Sequence, residues 1–92
     1  MIVRIMGEGQ LRLADSRLVE LDKLDDELLR EMENGDGPGF RRTLAELLAK
    51  VRELGTPLPD EALEPSELIL PAAEATLEEV RALLGGDGLI PG

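Results

Sequence analysis

Two leucine stripes at helical spacing, separated by a glycine-rich break, constrain this chain more than any other feature of its sequence. Leu18, Leu21, Leu24, Leu28 and Met32 recur three or four positions apart, which places them along one face of a helix running from about residue 16 to 34, with Asp15 or Ser16 as its N-terminal cap. Gly35 is suited to a left-handed helix end, and Asp36-Gly37-Pro38-Gly39 predicts a tight reversal. A second helix follows from about 38 to 54, with Phe40, Leu44, Leu47, Leu48, Val51 and Leu54 on one face. Gly55-Thr56-Pro57 closes it, Thr56 being read as a turn residue. Two antiparallel amphipathic helices are the expected centre of the fold, and Phe40, the chain's one aromatic, belongs in the middle of the core.

The flanks read differently. Residues 1 to 13 alternate with period two on both sides of Gly7-Glu8-Gly9, the pattern of a β-hairpin. A lone hairpin is marginal in water, so its apolar face must be covered by the helices or joined by another strand. From 56 to 75, Pro57, Pro59, Pro65 and Pro71 divide an extended segment in which Ser66-Glu67-Leu68-Ile69-Leu70 fits a third strand, at an edge because of the flanking prolines. Thr76-Leu77-Glu78-Glu79 has the spacing of a capping box, and Leu77, Val80, Leu83 and Leu84 give a short helix over about 77–84, ahead of a tail at 85–92. The expected class is α+β: an N-terminal hairpin with a third edge strand, an antiparallel helix pair and a short C-terminal helix. Ninety-two residues allow one domain, and without cysteine no disulfide or thiolate metal site supports it, so apolar burial must suffice.

Charge narrows the partners. The formal net charge is -10, unevenly spread: residues 14–36 carry nine acids against three bases, and 56–92 eight acids against one. Only 37–55 forms a basic stretch, where Arg41, Arg42, Lys50 and Arg52 are interleaved with Glu46 and Glu53. Such a chain is repelled by phosphates and anionic lipid, and has no Trp or Tyr to stack on bases, so nucleic acid is not expected as a partner. The apolar runs are far shorter than the ~20 residues of a membrane span, and the start does not read as a secretion signal. A cytoplasmic protein is expected, with a net charge that opposes direct adhesion to anionic lipid.

Chemistry finds little to work with. Lacking His and Cys, the chain cannot build a Ser-His or Cys-His arrangement. Ser16 and Thr76 read as helix caps, and neither Thr43 nor Ser66 has an activating base nearby in sequence. Asp22, Asp25, Asp26 and Glu27 are read as the solvated side of the first helix, not as a metal site. Asn34-Gly35-Asp36-Gly37 lacks the frame of a calcium loop, and Gly7-Glu8-Gly9 lacks the remaining residues of a phosphate loop. No catalytic, cofactor or metal residues are assigned, and the chain is not expected to be an enzyme.

What remains is surface for another protein. Val19 and Leu29 lie beside the first helix's main stripe, where they either pack beneath the hairpin or form part of a docking groove. Leu89 and Ile90 either fold back on the core or act as a short hook for a partner. An alternative of a different kind is a structural, self-associating domain that uses an exposed strand edge or helix face to form a homo-oligomer.

The opening Met1-Ile2-Val3-Arg4-Ile5-Met6-Gly7-Glu8-Gly9-Gln10 and the stretch from Gly55-Thr56-Pro57-Leu58-Pro59-Asp60 to Leu89-Ile90-Pro91-Gly92 resemble the PspA-associated (PspAA) family of small bacterial proteins. The likeness is most specific in the first strand, in Leu68-Ile69-Leu70-Pro71 and in Ala75-Thr76-Leu77-Glu78-Glu79-Val80-Arg81. It implies a cytoplasmic accessory of the envelope-stress (phage-shock) response that acts with the coiled-coil, membrane-binding PspA protein. It brings no catalytic residues and no binding motif.

Overall fold

A computed structural model describes residues 1–59 and 65–84. It is an α+β arrangement in which a sheet covers the apolar side of two long helices. Strands β1 (Ile2–Ile5) and β2 (Gly9–Arg12) form the N-terminal hairpin, Val3 pairing with Leu11 and Ile5 with Gly9. Gly7 and Gly9 take φ of 85° and 120°, a region open to glycine, and Glu8 N–H donates to the Ile5 carbonyl at 2.9 Å to close the turn. A short 3-10 turn at Asp15–Arg17 leads into α1 (Leu18–Asn34), which is followed by α2 (Gly37–Leu54). Strands β3 (Thr56–Pro57) and β4 (Leu68–Leu70) and helix α3 (Leu77–Leu84) complete the order.

The corner between the long helices forms as its residues dictate. Gly35 adopts φ 68°, and the amides of Gly35 and Asp36 return to the carbonyls of Met32 and Glu31, satisfying two of the last free carbonyls of α1. Asp36 then caps α2: its carboxylate accepts from Gly39 N–H at 3.1 Å, with Pro38 in the first turn where its missing N–H costs nothing. Only Gly35 separates the last residue of α1 from the residue that caps α2.

The start of α1 differs from expectation. Neither Asp15 nor Ser16 caps it with a side chain; the 3-10 turn enters the helix directly, and the Asp15 carboxylate instead lies 3.3 Å from the terminal ammonium of Met1. That ammonium also donates to the Leu13 carbonyl at 2.9 Å, and Leu13 N–H donates to the Met1 carbonyl at 2.8 Å, so the hairpin pairing extends beyond its strands. A charged partner close at hand removes Asp15 from the capping role.

The sheet is also larger than a hairpin with one added edge. Its order is β3-β2-β1-β4: β3 pairs antiparallel with β2 at one edge, and β4 lies parallel to β1 at the other. Thr56 is therefore a strand residue opposite Arg12, not a turn residue. The strand order puts β3 and β4 at opposite edges, and Ser66 Oγ, which accepts from Gln10 Nε2 at 2.8 Å and Arg4 Nε at 3.3 Å, ties the approach to β4 to both hairpin strands.

The inner face of the sheet presents Val3, Ile5, Leu11, Leu68 and Leu70 to the helices, and all join one buried cluster with Leu21, Leu28, Phe40, Leu44 and Leu48. Phe40 has no exposed surface. Helix α3 adds Leu77 and Val80 to the cluster. It is capped by the reciprocal Thr76–Glu79 bonds that its sequence predicts, Glu79 N–H donating to Thr76 Oγ1 at 3.2 Å and Thr76 N–H to Glu79 Oε1 at 3.3 Å. The Arg81 guanidinium donates to the Met32 carbonyl, joining α3 to the end of α1.

Gly39 sets a test of the corner. A Cβ there would overlap the Asp36 carboxylate and come within 2.6 Å of Glu31 Oε2, whereas one on Gly37 meets nothing within 4 Å. Gly39→Ala should displace the cap and cost about 1 kcal/mol, seen in thermal unfolding as a fall of roughly 4–8 °C. Gly37→Ala should be neutral or slightly stabilising. Equal effects of the two substitutions would show that the cap does not hold the corner.

Candidate functional site

Because α1 packs its leucine stripe inward, it turns a mixed-charge surface outward. Val19, Asp22, Lys23, Asp26, Arg30 and Glu33 are all exposed and fall within one arc at ~100° per residue. At its base Arg17 Nη1 lies 3.1 Å from Glu20 Oε2. Val19 is 69% exposed, an apolar side chain among charges.

The structure separates the two α1 residues singled out from the sequence. Leu29 is half-buried and packs against the core cluster, while Val19 stands in solvent. Ten residues place them ~15 Å apart along the axis and ~80° apart around it. They do not form one groove: Val19 belongs to the outward arc and Leu29 to its border with the core. Leu89 and Ile90 lie outside the described residues.

The acidic side of α1 requires a correction. Asp22, Asp26 and Glu27 are exposed, but Asp25 is 7% exposed and belongs to the buried side. Asp25 is not without a partner. Glu31 is buried as well, and its Oε2 approaches Gly39 in the first turn of α2, where the positive end of the helix dipole offsets a negative charge. Its Oε1 is buried with no hydrogen-bond partner among the described residues. Glu31 recurs at the same three-and-four spacing as its leucine neighbours, which is the signal by which its burial could have been found.

Among the described residues, no cluster of three or more acids could hold a metal ion, and no helix is long and apolar enough to cross a membrane. Among the grooves formed by the described residues, two lie beside the sheet. One, of about 450 Å³, runs between Met6, Pro71, Ala72, Ala75 and Val80, with Glu74 and Glu79 at its rim. The other, of about 320 Å³, lies beside the hairpin turn between Leu11, Pro57 and Leu58, with Glu8 and Arg52 alongside. Neither carries a nucleophile next to a base. What line them are apolar side chains and charged groups, acids in the first and one of each sign in the second.

One ion pair has a defined electrostatic consequence. Arg52, in the last turn of α2, grips the hairpin-turn Glu8 with two guanidinium nitrogens, Nε reaching Oε1 at 2.8 Å. The hydrogen bonds from Arg52, more than its charge alone, hold the Glu8 carboxyl below its ordinary value of 4.5.

A protein-family model described as PspA-Associated protein matches residues 1–92 of the chain. No curated protein and no solved structure matches it.

Two measurements follow from this geometry. Because the folded state lowers the Glu8 pKa, its ion pair stabilises the fold above the ordinary carboxylate range, and that contribution is lost as pH falls below 4.5 through the lowered value. Both side chains are partly solvated, so the effect should stay below about 1 kcal/mol. Urea unfolding should show Glu8→Gln less stable than the native chain at pH 7, with the difference shrinking toward pH 3. Separately, Val19→Glu should leave stability within about 0.5 kcal/mol, whereas Leu29→Glu, which forces a charge against the core, should cost roughly 1–3 kcal/mol.

Proposed function

Starting from the family to which this chain belongs, the PspA-associated proteins, we propose that it is a non-catalytic accessory of the PspA-type envelope-stress response that binds a PspA-like coiled-coil protein. The observation that carries the reading is the family match across all 92 residues. The proposal treats those residues as one domain, consistent with a sheet that joins β1 near the start of the chain to β4 near residue 70.

Physical chemistry supports this reading in a specific way. A coiled-coil partner presents helices with an apolar seam and charged flanks of both signs. The outward arc of α1 has matching features, an exposed valine between acids and bases, on a helix fixed rigidly by its packed inner face. Binding is assigned to this arc, centred on Val19, with Leu29 at its border and Leu89-Ile90 as a second contact. The net charge of -10 opposes direct adhesion to anionic lipid, so membrane association runs through the partner, from the cytoplasmic side. No cofactor takes part.

The test is a pull-down from native cell extract with the purified chain as bait, read by mass spectrometry, beside Val19→Glu and Leu29→Glu baits of checked stability. Recovery of a PspA-like protein by the native bait, reduced about tenfold or more with Val19→Glu, is the expected result. Recovery of the chain's own copies alone would replace the reading with a self-associating domain. Equal recovery of PspA by Val19→Glu would retain the partner and move the contact off α1.

A further inference from the structure

Among the described residues, β4 is the edge strand on its side of the sheet. The Leu70 carbonyl accepts from Met6 N–H at 3.0 Å, so Leu70 faces β1. Successive strand residues turn their backbone groups to opposite sides, which directs the N–H and C=O of Ile69 away from β1. Among the described residues, no strand lies on that side. The Ile69 side chain is 56% exposed, and Met6, at the end of the neighbouring strand, is 50% exposed. These are two of the three large apolar residues exposed in the described part of the molecule, and both sit at this end of the sheet. Met6 also lines the apolar groove that continues past β4 between Pro71, Ala72, Ala75 and Val80.

An unpaired backbone edge, an apolar side chain on its open face and an apolar groove in line with it are the elements by which a sheet accepts an added strand. The charges select the kind of strand. Glu67 precedes β4, Glu74 and Glu79 border the groove, and all three are exposed. Arg4, opposite Ile69 on β1, is exposed and keeps its charge while it donates to Ser66 Oγ, so three acids face one base at this end of the sheet. A second copy pairing antiparallel along β4 would bring its own Glu67 and Glu74 against this acidic rim, so self-pairing is opposed where a basic segment is favoured.

We infer that the free edge of β4, with Ile69, Met6 and the groove beneath Pro71 and Val80, takes up an extended apolar segment of a partner protein as an added strand, with lysine or arginine at the end that meets Glu74 and Glu79. Three strand residues bury far less than a standard interface of ~1,600 Å², so the contact is weak and reversible. It lies apart from the outward arc of α1, and Val19→Glu leaves it intact.

Two synthetic octapeptides serve as probes for the full chain, one alternating valine with threonine and ending in two lysines, the other ending in two glutamates. Amide NMR should show saturable shifts from the lysine peptide at Ile69, Leu70, Ala72 and Ala75 at up to about 1 mM, with slowed exchange of the Ile69 amide. Ile69→Lys, which keeps the backbone donor, and Ile69→Pro, which removes it on the unpaired side, should each weaken binding about tenfold or more. The exchange pattern of the α1–α2 core reports that both variants remain folded. No saturable shift at β4 would overturn the proposal. Equal binding of the glutamate peptide would overturn its choice of partner, and peptide-free protection of Ile69 that grows with concentration, matched by a dimer in sedimentation, would assign the edge to a second copy.

Discussion

The reversal at Gly35 and Asp36 is the constraint on which the rest of the molecule depends. By ending one helix with a left-handed glycine and capping the next with the following residue, it turns two leucine stripes toward a shared interior within the space of a corner. If the second helix began one residue later, its stripe would rotate by ~100° relative to the first, and Phe40, Leu44 and Leu48 would no longer meet Leu21 and Leu28. The sheet has its apolar face covered only because this helical layer is already in place.

The sheet in turn fixes the segments that follow. The strand β1 is its central element, paired antiparallel with β2 and parallel with β4, so the hairpin receives the additional strands that an isolated pair needs in water. Arg81 reaching the Met32 carbonyl and Arg52 gripping Glu8 then join α3 to α1 and α2 to the hairpin turn. Both contacts place a cation where it has a defined acceptor, in a chain whose acids outnumber its bases by two to one.

Local signals that operate within a few residues were legible in the sequence: the leucine spacing of both long helices, the glycine at 35, the Thr76–Glu79 box and the hairpin alternation each have a cause contained in their own neighbourhood. The strand at Leu68–Leu70 was legible as an edge strand from its prolines, but its parallel register against β1 was not, because that depends on pairing across more than sixty residues. Strand β3 was missed since Thr56-Pro57 carries the signature of a helix stop, and only its position beside Arg12 makes it a strand. Asp15 and Ser16 both have the local propensity of a cap, and the ammonium of Met1 that lies beside Asp15 is invisible to that propensity. Asp25 was assigned to solvent by its charge, although its position on the helix placed it toward the interior. The candidate contact residues divided for a similar reason: Val19 and Leu29 share a hydrophobic character but stand on different sides of the boundary between core and solvent.

Among the described residues, aliphatic side chains and one phenylalanine form the core, with Asp25, Glu31 and Thr43 buried beside them, and the outward faces offer a mixed-charge helix and an edge strand. The most direct measurement of the central claim is calorimetric titration of the purified chain into a purified PspA-like coiled-coil protein from the same cell. Saturable binding at a defined stoichiometry, retained when ionic strength is raised enough to screen non-specific charge attraction, is the result the account predicts. An absence of binding at about 100 μM of each protein would contradict it.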